Sequence, residues 1–153
     1  LALFVSAAAS GESRTVALSA LLDGLTVGDV AQSTPRSVSV TATVEELVDR
    51  MFAERATEFT VTRDGAVVGV VTVADFEELS RAEREADSVA DLMETDLPRL
   101  AAETPAFDAL VTLDTSSASA ALVESPAGTR VVSRADFTAA MEMRRLIDTA
   151  DPF

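Results

Sequence analysis

The strongest constraint on the fold of this 153-residue chain is that one order of elements is written into it twice. A repeat decides architecture before any single motif does. In the first copy, LTVGDV (Leu25 to Val30) leads to a short strand, Ser37 to Val40. Thr43 then caps a helix, with Glu46 placed for a capping box. Val44, Leu47, Val48, Met51 and Phe52 recur at i, i+3, i+4, i+7 and i+8, the pattern of a helix with one buried face. Phe59 and Val61 alternate as a strand, Asp64-Gly65 turns the chain, and Val67 to Val71 returns; Asp-Gly between apolar runs is a strong hairpin signal. A second helix starts near Thr72 and runs through Phe76 and Leu79 toward Asp87.

The second copy keeps the order. Ser88 to Met93 answers Val27 to Ala31, with Asp91 standing 62 residues after Asp29. Thr104-Pro105 opens a helix that buries Phe107, Leu110 and Val111, and Pro is well tolerated at a first helical position. Ala118 to Val123 is a strand, Pro126 to Gly128 a turn, Arg130 to Val132 the return strand, and Ser133 opens a helix through Phe137, Ala140 and Met141. Leu47 matches Leu110 at an offset of 63 and Asp75 matches Asp136 at 61. On that reading the second hairpin is shorter by two residues and has no equivalent of Gly69. The pattern β-α-β-β-α, twice, predicts an α/β protein of two motifs packed as a pseudo-twofold pair, preceded by a short N-terminal helix. The expected units are an apolar N-terminal segment and helix over 1–24, motif 1 over 25–87, motif 2 over 88–147 and a tail over 148–153.

Residue types that are missing narrow the chemistry. The sequence holds no His and no Cys, which rules out imidazole or thiolate zinc ligands, a disulfide, a Ser-His-Asp triad and a Cys-His dyad within it. Catalysis would have to rest on carboxylates alone, so no enzyme activity, catalytic residue or metal site is expected in this segment. A net charge of −14, from 12 arginines and no lysine against 26 acidic residues, lacks the cationic footprint that nucleic acid demands. Such self-repulsion is tolerable where salt screens it. Together with the arginine bias, it suggests a halophilic archaeal source.

Leu1 to Ala9 is apolar apart from Ser6, too short to span a bilayer and without the basic flank of a signal peptide. It reads either as the end of a transmembrane helix that starts upstream or as a short buried helix. Ser13 to Leu22 then sets Val16, Ala17, Ala20 and Leu21 on one helical face, and Gly24 is a plausible stop.

The run from Leu25 to Phe76 resembles a CBS (cystathionine-β-synthase type) domain, and the second copy resembles its tandem partner. The most diagnostic piece is Gly69-Val-Val-Thr-Val-Ala-Asp75-Phe76; Val131-Val-Ser-Arg-Ala-Asp136-Phe137 is a degenerate second instance. The resemblance covers Leu25 to Leu146. A second, low-specificity resemblance covers the first 30 residues, which are similar to the junction between the last transmembrane helix and the CBS pair of site-2-protease-type (M50) membrane zinc metalloproteases. The catalytic HExxH helix of that family is absent. It would lie upstream, with zinc confined to that part, and place this segment on the cytoplasmic face of a membrane; without a protease the segment would be cytoplasmic.

The CBS resemblance implies an adenosine-containing regulatory ligand such as AMP, ATP or S-adenosylmethionine. It places the hydroxyls of Thr72 and Ser133 on phosphate and the carboxylates of Asp75 and Asp136 on ribose hydroxyls. Arg134 would add phosphate contacts, and Thr34, Arg36 and Val38 would line the cleft for adenine and phosphate. Both motifs open a helix directly after a strand, where free N–H groups favour an anion. Thr72-x-x-Asp75 and Ser133-x-x-Asp136 are equally capping boxes that need no ligand. Two functions follow: a nucleotide-sensing pair that controls an attached protease, or a ligand-free dimerisation or docking module. A homodimer through the motifs is expected in either case. Glu77, Glu78, Glu83, Glu85 and Asp87 read as a solvated face, Phe52, Phe59, Phe76, Phe107 and Phe137 as core, and Met141, Met143 and Ile147 as either core or a dimer seam.

Overall fold

The computed structural model describes residues 2–31, 36–81 and 86–150. Helices α1 (Ala2–Leu22) and α2 (Val27–Val30) precede β1 (Ser37–Ser39), α3 (Val44–Glu54), β2 (Glu58–Arg63), β3 (Ala66–Thr72) and α4 (Val73–Arg81). The order then recurs as α5 (Val89–Leu92), β4 (Arg99–Ala101), α6 (Ala106–Ser116), β5 (Ala120–Ser125), β6 (Gly128–Ser133) and α7 (Arg134–Ala150). Each half is a three-stranded sheet, with β1 parallel to β2 and β2 antiparallel to β3, and likewise β4, β5 and β6. The expected α/β pair of β-α-β-β-α motifs is therefore the fold observed. At the first hairpin Asp64 and Gly65 both take positive φ, 52° and 80°, as a two-residue turn between twisted strands requires.

The packing units do not follow the order of the chain. Val27 and Ala31, which precede the first sheet, are buried in the core of the second half with Ala106, Leu113, Val132 and Phe137. Val89 and Leu92 of α5 are buried in the first half with Val38, Leu47, Phe59 and Val61. Each short helix thus crosses to the opposite motif. Two matched backbone bridges hold the exchange, Thr26 with Pro105 and Thr43 with Ser88. Val27 N–H donates to Thr104 O at 2.7 Å, and its counterpart Val89 N–H donates to Ala42 O at 3.0 Å. Between the sheets a third buried cluster joins Val70 to Ala120, Leu122 and Val131.

Strand register corrects the alignment of the two copies. Val61 pairs with Gly69 and Thr62 with Val67, leaving Val68 in a bulge, whereas Val123 pairs with Arg130 and Glu124 with Thr129 without interruption. The second hairpin has lost one residue, the bulge, rather than two. Arg130 takes the place of Gly69. Helix register shifts accordingly: Leu47 corresponds to Ala109, both fully buried, and not to Leu110.

Two expectations about apolar residues also change. Phe52 is 79% exposed, because the sheet covers only the stripe of α3 through Val44, Leu47 and Met51, and one further residue rotates the side chain off it. Phe59 and Phe137 are fully buried, with Phe76 and Phe107 packed on the two cores. Val111 is likewise exposed, at 44%. The two N-terminal segments form one continuous helix through Gly11, which ends at Leu22 before Gly24 at φ 76°. No helix among the described residues is long and apolar enough to cross a membrane. On α7, Met141 packs on the second core, while Met143, Leu146 and Ile147 remain exposed.

Candidate ligand clefts

The two strand-to-helix junctions meet across the pseudo-twofold axis. Thr72 and Ser133, the last residues of β3 and β6, line one shared crevice of about 290 Å³ together with Thr57, Glu58, Ser119 and Arg134. Asp75 and Asp136 stand three residues into the helices that follow. Oδ2 of Asp75 accepts the Thr72 N–H at 2.6 Å and the Thr72 hydroxyl at 3.2 Å. Oδ2 of Asp136 accepts the Ser133 N–H at 2.8 Å and the Ser133 hydroxyl at 3.2 Å. In both junctions one carboxylate oxygen ties down the helix start. The same device opens α2 and α5, where Asp29 takes the Thr26 N–H at 2.9 Å and Asp91 takes the Ser88 N–H at 3.2 Å.

Beyond the crevice the surroundings of the two acids differ. The cleft at Asp75, about 520 Å³, is lined by Glu78, Asp91, Glu94, Ser117, Ser119 and Arg134 among others. Burial holds the Asp75 carboxyl above its ordinary range, opposed by the Thr72 bonds and reinforced by the nearby charges of Glu94 and Glu78. Asp91 is shifted the other way by the backbone N–H groups of Ser88 and Asp87. The cleft at Asp136, about 120 Å³, is lined by Arg36, Arg55, Thr57, Glu58 and Ser133 and opens into the shared crevice through the last three. Burial raises the Glu58 carboxyl, Asp136 raises it further, and a hydrogen bond with Ser133 works against both.

Of the residues singled out from sequence, Thr72 and Ser133 share the crevice, and Asp75, Asp136, Arg36 and Arg134 line it or the flanking clefts. Thr34 lies outside the described residues. Val38 does not reach a cleft with its side chain, which is buried in the first core because alternate residues of β1 point inward. Arg134 is already engaged: Nη1 donates to Ala118 O at 2.8 Å, Nη2 to Leu113 O at 3.0 Å and Nε to Asp114 at 3.3 Å. Those contacts cap the carboxyl end of α6, where a cation is favoured. Reading along the sequence passed over Arg55, Thr57, Glu58, Glu94, Ser117 and Ser119. Aligning the copies at an offset of 62 pairs Arg55 with Ser117 and Thr57 with Ser119. Arg55 and Ser117 both adopt left-handed backbone, φ 50° and 58°, as the helices before them end.

Residues 27–80 match the model of the CBS domain family. Solved structures share the architecture of the whole pair. CBSX2 in complex with AMP is 24% identical, with 79% of this chain and 99% of that one covered and a TM-score of 0.62. An uncharacterised conserved protein from Pyrococcus horikoshii is 19% identical, covering 76% and 91% of the two chains at a TM-score of 0.67. The CBS domain pair of the protein MJ0100, in complex with 5′-methylthioadenosine and S-adenosyl-L-methionine, is 13% identical, covering 74% and 97% at a TM-score of 0.64. No curated protein matches this chain in sequence. The chain therefore has the fold of a tandem CBS domain pair, with its first copy matching the family model directly.

Proposed function

We propose that this pair is a regulatory module that binds an adenosine-containing small molecule between its two motifs. The observation that carries the reading is the shared crevice in which Thr72 and Ser133 face each other, flanked on either side by a cleft with an aspartate at its edge. Oδ2 of each aspartate takes the N–H at its helix start, and a carboxylate has two oxygens that can accept from the hydroxyls of a ribose. The adenosine compounds held by CBSX2 and by the MJ0100 pair support the choice of ligand. A ligand touching both motifs favours one relative arrangement of the halves, by as much as its affinity differs between arrangements. In the full-length protein the output is an attached membrane metalloprotease on the cytoplasmic side, a reading that rests on the resemblance of residues 1–30.

Thermal melts in molar KCl with AMP, ATP or S-adenosylmethionine test the module itself. A ligand of the native state at 100 times its Kd adds about 2.7 kcal/mol and raises the midpoint. No shift with any adenosine compound at millimolar concentration leaves the second reading, a ligand-free dimerisation module. Two observations favour that alternative. All four Ser/Thr–Asp pairs have the same helix-opening geometry, and Met143, Leu146 and Ile147 form an exposed apolar stripe on α7. Sedimentation of the wild type beside Ile147→Glu measures whether that stripe joins two copies.

A further inference from the structure

We propose that the two clefts sort their ligands by charge, with Glu94 as the residue that keeps phosphates out of the cleft at Asp75. The cleft at Asp136 then takes the anionic adenosine nucleotide, and the cleft at Asp75 takes a nucleoside without net negative charge. This inference rests on the proposed adenosine site and says which member of that class enters which side.

The two clefts are related by the pseudo-twofold axis but not by their charges. The Asp75 side brings together Asp75, Glu78, Asp91 and Glu94 against Arg134. That arginine is committed to the Leu113 and Ala118 carbonyls and to Asp114. The Asp136 side sets Arg55 and Arg36 against Glu58 and Asp136, with Arg36 also paired to Glu54 at 3.4 Å and Arg55 in no ion pair among the described residues. Part of the asymmetry lies at matched positions, where Ser117 stands in for Arg55 and Ala139, three residues beyond Asp136, stands in for Glu78.

Glu94 is more than one acid among several. Its backbone is fixed by a two-bond bridge to Val70, N–H to O at 2.8 Å and the reverse at 3.0 Å. Its carbonyl lies against Gly69, where a Cβ would come within 2.8 Å. Thus held, its carboxylate accepts the Ser119 N–H at 3.3 Å and also the Ser119 hydroxyl. Ser119 is the counterpart of Thr57 on the other side, and both reach the central crevice. Glu94 therefore occupies with its own anion the donors that an incoming phosphate would use, and it repels the phosphate at the same time. A nucleoside whose 5′ substituent is uncharged or cationic meets neither obstacle.

Equilibrium dialysis and calorimetry with AMP and 5′-methylthioadenosine at about 0.1 M salt, where charges still act on one another over about 10 Å, test this. The wild type is expected to bind one AMP per chain and one 5′-methylthioadenosine without competition between them. Glu94→Gln keeps an acceptor for Ser119 and removes the charge; it is expected to gain a second AMP, with at least a tenfold rise in affinity on that side. Glu78→Gln, at an exposed position, should move AMP binding in the same direction by less and guards against a folding defect in the first variant. Arg55→Ala should weaken the first AMP alone. Two equivalent AMP sites in the wild type, direct competition between the two compounds, or an unchanged AMP stoichiometry in Glu94→Gln would each overturn the sorting while leaving the adenosine site intact. Absence of binding by either compound overturns both.

Discussion

Arg130 stands in the second hairpin where Gly69 stands in the first, each opposite the fourth residue of the strand that precedes it. The exchange is explained by what lies above each position. Gly69 sits under the Glu94 carbonyl and the Met93 side chain, leaving no space for a Cβ, while Arg130 extends to donate from Nη1 to Gly28 O at 3.0 Å. Gly69→Ala must push a backbone carbonyl aside. It is expected to cost about 1–3 kcal/mol, the usual range for overpacking, read from the denaturant midpoint. Loss of less than about 0.5 kcal/mol would mean that the Glu94 segment moves freely and cannot hold its carboxylate in place.

Asp75 and Asp136 carry both helix starts, so their truncation has two separable consequences. Asp75→Ala and Asp136→Ala each remove an acceptor from a backbone N–H, with an expected loss of about 1 kcal/mol, typical of a lost cap. Each should also abolish the thermal shift given by an adenosine ligand in its own cleft. Asp75→Asn keeps an acceptor and removes a charge that burial disfavours, so it should melt closer to the wild type than Asp75→Ala. If both alanine variants retain the full ligand shift, the aspartates are caps only.

Glu58 gives the pH dependence a sign. Its carboxyl is raised by burial, so the folded state holds its proton to higher pH than the unfolded chain does. Its contribution is fully present below the ordinary glutamate range and is lost as pH climbs through the raised value. Asp29 and Asp91 act in the opposite sense: backbone N–H groups lower both, and their contribution fades as pH falls below the ordinary aspartate range. Glu58→Gln is therefore expected to flatten the decline in Tm on the alkaline side of the glutamate range. Melts of both proteins across about pH 4 to 7 measure it, and parallel curves would show Glu58 to be solvated.

The duplicated β-α-β-β-α order was legible in sequence because local signals carry it. The Asp64-Gly65 turn, the Thr43 and Glu46 capping box and the apolar stripe through Leu47 each act within a few residues. Thr72, Asp75, Ser133 and Asp136 were visible for the same reason, since strand-to-helix junctions have a recognisable grammar. What escaped is long-range. Phe52 obeys helical periodicity, but nothing packs over its side of α3, and periodicity cannot say how wide a sheet is. Glu94 reaches Ser119 across 25 residues, through a bridge to Val70 that no spacing announces. The correspondence of Gly69 with Arg130 was hidden because matching Leu47 to Leu110, one position too far along α6, makes the one-residue bulge at Val68 look like a loss of two.

The crossing of α2 and α5 makes a prediction that order along the chain would get wrong. Val27 precedes the first sheet by ten residues yet is fully buried among Ala106, Leu113 and Phe137 of the second half. Val27→Ala removes two methyl groups from a closed core, and the lost transfer energy with its residual cavity is expected to cost about 2 kcal/mol. The damage should fall on the far motif. Amide exchange should accelerate in α6 and β6 before it does in α3 and β2, because local opening follows the packing unit rather than sequence neighbours. Val89→Ala should reverse the pattern, loosening α3 and β2 around Leu47 and Phe59. Equal acceleration in both halves would mean that the two cores unfold as one cooperative unit; acceleration confined to the half nearest in sequence would contradict the crossing itself.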